Sequence, residues 1–312
     1  MVKYQKLQRM IETHIQGKTT WVDVKSPTNE EVRELIDTYN LPPTLANDFV
    51  TPVPRSTASE VDGFIKMTMD FPIVRRTDMR HPHEIKFVIS QHTLITIRYE
   101  DMEAIDKFRS AFEIESALKK NKKRLNGADL FFSLIGALYA STAAKLDYIQ
   151  TRLTDIETEI FDGNEREMVF HISEMNRKLI NFKQTLKAHD DVFRDAKPLF
   201  EHVFKKSYGA QIQDVHMHYY HLIRRTMALF ETLHNFKETN SALLTTKQNE
   251  IMKIFTILAF VTFPLTLFSS MFGMNTKATP IIGADGDFWI ILGAMTVVAF
   301  TFFGFFKFKK WL

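Results

Sequence analysis

The chain contains no cysteine among its 312 residues. Disulfides and thiolate metal sites are therefore excluded. Charge of one sign is also scarce in excess: 40 Lys and Arg against 37 Asp and Glu leave a net +3. So small a surplus gives no reason to expect a nucleic-acid partner. There is no glycine-rich phosphate loop and no Ser/His/Asp spacing that would mark a nucleophilic site. The acidic residues fall mainly on amphipathic helical patterns, where a solvated face is the default. An enzyme is not expected, and neither is an organic cofactor. The segment from Met1 to Gly17 is mixed polar and charged with no apolar core. No secretory signal is expected there, so roughly the first 250 residues are expected in the cytoplasm.

Near the C-terminus the composition changes. Lys253 and Lys277 bracket 23 residues without a charged side chain, Ile254 to Thr276. A helix of that length crosses the hydrocarbon core of a bilayer. A second uncharged span, Phe288 to Phe306, follows almost at once. Lys247 and Lys253 precede the first span, and Lys307, Lys309 and Lys310 follow the second. Between them lie Lys277, Asp285 and Asp287, which sum to −1. Five lysines on the outer flanks, against one in a loop that sums to −1, predict a hairpin in the cytoplasmic (inner) membrane with both termini cytoplasmic.

Three segments are expected: 1–124, an α/β domain; 125–250, a helical bundle ending in a stalk; and 251–312, the membrane hairpin with a basic tail. Within the first, Trp21 to Val24 is a short apolar run. Ser26-Pro27-Thr28 with Glu30-Glu31 then marks a helix start, and the helix is expected to reach Tyr39. Pro42-Pro43 breaks it, and a short helix through Phe49 follows. Strands are expected at Phe64 to Phe71, Ile85 to Ser90 and Leu94 to Tyr99, the last two forming a hairpin across Gln91-His92. Met102 to Phe112 returns to helix. The basic run Lys119, Lys120, Lys122, Lys123, Arg124 reads as a solvated linker or a phosphate or lipid contact, and it sets the domain boundary.

From Asp129 to Phe272 the spacing is helical. Leu146, Ile149, Leu153, Ile156 and Ile160 mark one helix, and Ile172, Met175, Leu179, Phe182, Leu186 and His189 a second, with Asp162-Gly163-Asn164 between them. Pro198 and Ser207-Tyr208-Gly209 are read as separating the second from a third. The third carries Val215, Tyr219, Leu222, Thr226, Leu229, Leu233, Phe236, Asn240 and Leu243, a 4-3 alternation over four heptads that predicts a coiled-coil or bundle seam. Run on to Phe272, it is a helix of 62 residues from Gln211, about 93 Å long.

Asn249, Met252, Thr256, Ala259, Phe263, Thr266, Ser270 and Gly273 recur at steps of three and four and so share a helix face. Small and hydroxyl side chains on such a face suit close helix packing or a water-lined path. A single two-span subunit cannot enclose a pore, so a path would need a ring of subunits. The stripe ends at Gly273-Met274-Asn275. Asn275 suits a left-handed helix cap, and its amide also suits a cation's hydration shell.

These residues resemble a known family. Gln248-Asn249-Glu250-Ile251-Met252-Lys253 leading to Pro264-Leu265-Thr266 and Phe272-Gly273-Met274-Asn275, with Lys309-Lys310-Trp311-Leu312 at the end, is similar to the CorA-type magnesium transporters. Trp21-Val22-Asp23-Val24 and the hairpin Phe87-Val88-Ile89-Ser90 to Leu94-Ile95-Thr96-Ile97-Arg98 are similar as well, so the resemblance covers most of the chain.

The resemblance implies an α+β cytoplasmic domain, a long α-helical bundle and stalk, and two C-terminal transmembrane helices in a homopentameric funnel. It implies Mg2+ as transported and regulatory ion, with Co2+ and Ni2+ as further cargo. Gly273, Met274 and Asn275 would form the selectivity filter. Asn249, Met252, Phe255, Ala259, Phe263 and Thr266 would line the pore, with Phe255 in place of the Thr256 of the stripe. Asp214 would hold a regulatory ion, and Lys307, Lys309 and Lys310 would form a basic cytoplasmic ring. The expected partners are four further copies of the chain, the lipid bilayer and divalent cations.

Some positions depart from the family. Lys277 stands two residues after Asn275, where an acidic residue is usual. Phe272 replaces a tyrosine, and Phe263 stands where methionine is common. Two alternatives follow from the residues. A zinc transporter of the same fold, with or without proton coupling, would use His218 and His221, which share a face at i, i+3 while His216 points away. A non-conducting, membrane-anchored coiled-coil sensor would explain the heptads and hairpin but not the tripeptide.

Overall fold

The structure is a computed structural model, and it describes residues 11–50, 56–72, 74, 83–117, 125–205, 208–274, 281–283, 285–309 and 311. The basic run at 119–124, Asn275, Lys277 and Lys310 lie outside the described residues. By contact density the chain divides into two compact units, Met1–Lys237 and Glu238–Leu312.

The first unit is built on a six-stranded sheet in the order β1-β2-β6-β5-β4-β3. The strands are β1 (Ile11–Gln16), β2 (Thr19–Lys25), β3 (Thr57–Val61), β4 (Phe64–Phe71), β5 (His83–Ile89) and β6 (Thr93–Arg98). All neighbours are antiparallel except β2 and β6. β5 and β6 are buried almost throughout, as central strands covered on both faces should be. The apolar runs Ile85 to Ile89 and Leu94 to Ile97 supply that burial.

One face of the sheet is covered by α1 (Asn29–Tyr39), a 3-10 turn (Pro43–Leu45) and α2 (Ala46–Val50). Val32, Leu35, Leu45 and Phe49 pack there on Val22, Val24, Val88, Ile95 and Ile97. Thr28 starts α1 through a reciprocal capping box with Glu31, which satisfies two end amides at once. Asn40 ends it in the left-handed region, φ 50°, which asparagine tolerates.

The other face is covered by α4 (Gly127–Phe161) and α5 (Glu165–Phe204), with α3 (Glu103–Ala117) beside α4 and β1. Phe87 meets Phe131 edge-on at 5.2 Å between ring centroids, and Phe131 meets Phe200 at 5.6 Å. The entry of α4 is tight. Asn126 and Asp129 form a second capping box, and the Gly127 amide donates to the Gln91 carbonyl at 3.3 Å. A Cβ at Gly127 would overlap the Ser90 carbonyl oxygen and stand 2.7 Å from that of Thr93. Only glycine lets this helix begin against the β5–β6 turn.

Beyond the sheet α4 and α5 pair through Leu146, Ile149, Leu153, Ile156 and Ile160 on one side and Met168, Ile172, Met175, Leu179 and Phe182 on the other, all buried. Pro198 does not separate helices, contrary to the sequence reading. It lies inside α5, which runs on to Phe204. Ala196, Phe200 and Phe204 are buried, and the ring contacts of Phe200 and Phe204 with Phe132 and Tyr208 outweigh the one amide that proline lacks.

The next helix, α6, runs from Gly209 to Phe272, with Pro264 inside it. In the first unit its seam residues Val215, Tyr219, Leu222, Thr226, Leu229 and Leu233 are buried. In the second unit the rest of α6 accompanies α7 (Asp287–Phe308). Phe260 meets Phe306 at 6.2 Å, and Phe306 stacks on Trp311 at 5.9 Å. By length and apolarity three of the described helices could cross a membrane: α4, α6 and α7. More than half of the apolar stretch of α4 is buried against its own unit, whereas that of α6 is almost bare and that of α7 wholly so.

Candidate functional site

The apolar half of α6 carries its polar groups in a form a low-dielectric setting tolerates. Thr256 Oγ1 donates to the Met252 carbonyl at 2.8 Å, Thr262 to Leu258 at 2.9 Å, and Thr266 to Thr262 at 2.9 Å. Each hydroxyl proton is thereby satisfied within the helix, and the oxygen lone pairs stay available to water or to a neighbour. Asn249, Met252, Phe255, Phe263 and Thr266 are exposed in the single chain, and Ala259 is half-buried. At the one position where stripe and resemblance differ, Phe255 is 61% exposed while Thr256 is half-buried.

α6 stops at Phe272. The Gly273 amide still bonds back to Ser269 at 2.9 Å, and Met274 closes loosely on Met271 at 3.4 Å. The last carbonyls of a 64-residue helix therefore end where the tripeptide begins, and no basic residue occupies the final turn. A helix C-terminus carries about half a negative charge, which favours a cation there. Asn275 follows, outside the described residues. Across the loop, Asp287 is engaged at the start of α7. It accepts from Gly283 N at 3.1 Å and Phe288 N at 2.7 Å, which places its charge at that helix's positive end. Lys307 and Lys309 are exposed at the end of α7.

In the first unit Asp214 is exposed near the start of α6, with His218 Nε2 at a loose 3.9 Å. The three stalk histidines behave differently from one another. His216 Nε2 meets Asp190 of α5 at 2.8 Å, and its ring packs on Phe193 and Tyr219, so it ties α6 to α5. His218 and His221 are exposed. Among the described residues no group of three His, Asp or Glu converges as a metal site would require.

Two buried polar networks went unseen in the sequence. Arg98 grips Asp23 through Nη2 at 2.9 Å and Nε at 3.1 Å, while Thr96 Oγ1 donates to the same carboxylate at 2.7 Å and accepts from Trp21 Nε1 at 3.1 Å. The period-2 strand pattern placed Thr96 and Arg98 on one face, which was the available signal. The second network joins three elements: His189 Nε2 donates to the Asp70 carbonyl at 2.7 Å, and Tyr139 Oη donates to His189 Nδ1 at 2.9 Å. Burial pushes the His189 ring down to about 4, so it is neutral and has one N–H. That N–H must face the carbonyl, which fixes the tautomer. Burial also pushes Tyr139 well above its ordinary value.

A sheet-based unit with a long helical bundle is followed in sequence by two bare apolar helices, with Gly273-Met274-Asn275 between them, the pattern of a membrane protein. The family model of CorA-like Mg2+ transporter proteins matches residues 16–310, and the chain belongs to that family. It is 22% identical to the cobalt/magnesium transport protein CorA of Thermotoga maritima, over 94% of this chain and 83% of that one. It is 21% identical to the magnesium transport protein CorA of Wolinella succinogenes, over 96% of this chain and 93% of that one. The complete structure of the CorA magnesium transporter of Methanocaldococcus jannaschii superposes with a TM-score of 0.80 at 18% identity, covering 95% and 92% of the two chains. The cytoplasmic domain of ZntB from Vibrio parahaemolyticus superposes with a TM-score of 0.54 at 13% identity, covering 74% and 89%.

Proposed function

We propose that the protein carries Mg2+ across the cytoplasmic membrane, with Co2+ and Ni2+ as further cargo, as a homopentamer with both termini in the cytoplasm. The observation that supports this reading best is the end of α6: a bare apolar helix whose carbonyl end runs directly into Gly273-Met274-Asn275, within a family match that spans the chain. The segments 1–124, 125–250 and 251–312 act as sensor, stalk and conducting hairpin.

Mg2+ holds its water tightly and demands octahedral oxygen geometry. Five Asn275 amides, backed by the helix C-termini, accept hydrogen bonds from the hydrated ion without stripping it. A neutral ring binds weakly enough to release the ion, which conduction requires. Met252, Phe255, Ala259, Phe263 and Thr266 line the path below, with Asn249 at its inner end. Five copies of Phe255 and of Phe263 make apolar constrictions that close by dewetting. Asp214 carboxylates bridged by Mg2+ brace the closed ring when the ion is abundant inside. Lys307, Lys309 and Lys310 form a basic collar at the cytoplasmic surface.

The test is flux into liposomes for Mg2+, Co2+, Ni2+ and Zn2+, at set internal Mg2+ and with and without a pH gradient. Mg2+ uptake that is abolished by Asn275→Ala while the oligomer stays intact is the expected result. Uptake of Zn2+ alone, driven by protons, would assign the zinc role. Absence of any flux from a correctly assembled protein would leave the sensor reading. Inhibition by internal Mg2+ should weaken in Asp214→Ala; unchanged inhibition would remove that residue from regulation.

A further inference from the structure

β4 and β5 are paired so that Asp70 lies directly opposite Glu84. Side chains of directly opposed residues stand on one face with Cβ atoms about 5 Å apart. Like charges at that position repel, and here the pair is also withdrawn from water: Glu84 is buried and Asp70 half-buried. The surroundings on that face are polar but committed. Lys86, buried on β5, reaches Glu84 at 3.2 Å, the Asp48 carbonyl of α2, and Oη of Tyr99, just past β6, at 2.8 Å. Lys66 of β4 pairs with the Asp48 carboxylate. Ser56 lies beside Asp70 ahead of β3.

Asp70 also belongs to the opposite side of the sheet, through its backbone. Its carbonyl receives the His189 N–H of α5, and His189 is held in turn by Tyr139 of α4. Two residues on, the Pro72 carbonyl accepts from Lys145 Nζ of α4 at 2.8 Å. The end of β4 is thus the place where the acidic pair on one face and the α4–α5 latch on the other share a backbone.

We propose that Asp70 and Glu84 hold a single proton between them, and that losing it loosens the end of β4 from the His189 and Lys145 latch, so that the first unit responds to the pH of its compartment. With the proton present, one carboxyl is neutral and the cross-strand repulsion is gone. With both ionised, the two strands are pushed apart at the end where β4 carries Asp70 and Phe71 and β5 begins. Burial, and then the Glu84 charge, push the Asp70 carboxyl up to about 6, partly offset by Ser56. His189 is not the switch, because burial holds its ring neutral down to about 4. Nothing in this inference depends on which ion the protein carries.

The test compares the full-length protein with Asp70→Asn and Glu84→Gln between pH 5 and pH 7.5. His189 titrates in all three, so the informative quantity is the difference in melting temperature between variant and wild type at each pH. Asp70→Asn should gain on wild type by roughly 2–4 °C as pH rises across that window. Glu84→Gln should move the wild-type titration to lower pH, because it removes the opposing charge. Hydrogen exchange at residues 69–71 and 83–85, corrected for intrinsic rates, should speed up several-fold at pH 7.5 in wild type and not in Asp70→Asn. A pH-independent melting difference, or exchange at these strand ends that responds to pH equally in both proteins, would overturn the proposal.

Discussion

Gly127 and Ser90 are in such close approach that a single added carbon at the first would overlap the carbonyl oxygen of the second. The obstacle is backbone on both sides, since Thr93 presents its carbonyl as well, so no rotamer change relieves it. Gly127→Ala should therefore displace the start of α4 from the β5–β6 turn and break the Asn126–Asp129 capping box. A loss of several kcal/mol, about 3 or more, is expected for a substitution that strains core backbone. Thermal unfolding of the purified protein checks this, and Gly136→Ala, where the added carbon meets nothing, is the control that should be neutral or slightly stabilising.

Arg98 and Asp23 form a buried pair, and the cost of separating them is not symmetrical. Arg98→Met strands a carboxylate that, among the described residues, Thr96 alone still bonds, and it should destabilise by about 3–5 kcal/mol. Arg98→Met combined with Asp23→Leu removes both charges and should recover much of that loss. Melting temperatures of the two single variants and the double variant decide it. Additive losses would mean that the pair is not coupled.

His189 gives the fold an acid limit. Its ring titrates near 4 in the folded protein and near 6.5 when unfolded. A lowered folded value means that the stabilisation is complete above about 6.5 and is lost as pH falls through 4. The full loss is about 3 kcal/mol. His189→Phe, which keeps a ring of similar size, should melt lower than wild type at pH 7.5 and lose less on acidification. Identical slopes for the two proteins between pH 7 and pH 4.5 would contradict the buried neutral ring.

The absence of cysteine makes the α6 face directly testable, because any introduced thiol is unique. Phe255→Cys should react with a water-soluble thiol reagent in membrane vesicles at least tenfold faster than Thr256→Cys. The reverse order would move the aqueous path by one residue and return it to the stripe that passes through Thr256.

Much of the first unit was legible because its signals are local. α1 ends at Tyr39 as expected, and β4 runs from Phe64 to Phe71 as expected. Thr28 with Glu31, and alternation in β6, are short-range cues that tertiary context did not override. β1 and β3 were missed because Ile-Glu-Thr-His-Ile-Gln and Thr-Ala-Ser-Glu-Val are polar edge strands, defined by the neighbours they bond to and not by their own pattern. Pro198 misled because a proline's local cost is small beside the aromatic packing that Phe200 and Phe204 make. At the site, the tripeptide and the bare helix before it were plain in the sequence. The exposure of Phe255 and the attachment of His216 to Asp190 were not, since both depend on which helices stand next to α6.

The boundary between the two compact units falls at Lys237 and Glu238, inside α6 and not in a loop. A protease that searches for a slack connector will find no irregular segment there, and limited digestion should leave the membrane hairpin attached. Severing the halves means cutting through a hydrogen-bonded helix, so a soluble fragment has to be engineered with an artificial end. Insertions of other than whole turns near that boundary rotate every residue after it, Met252 and Phe255 included, by about 100° per residue added.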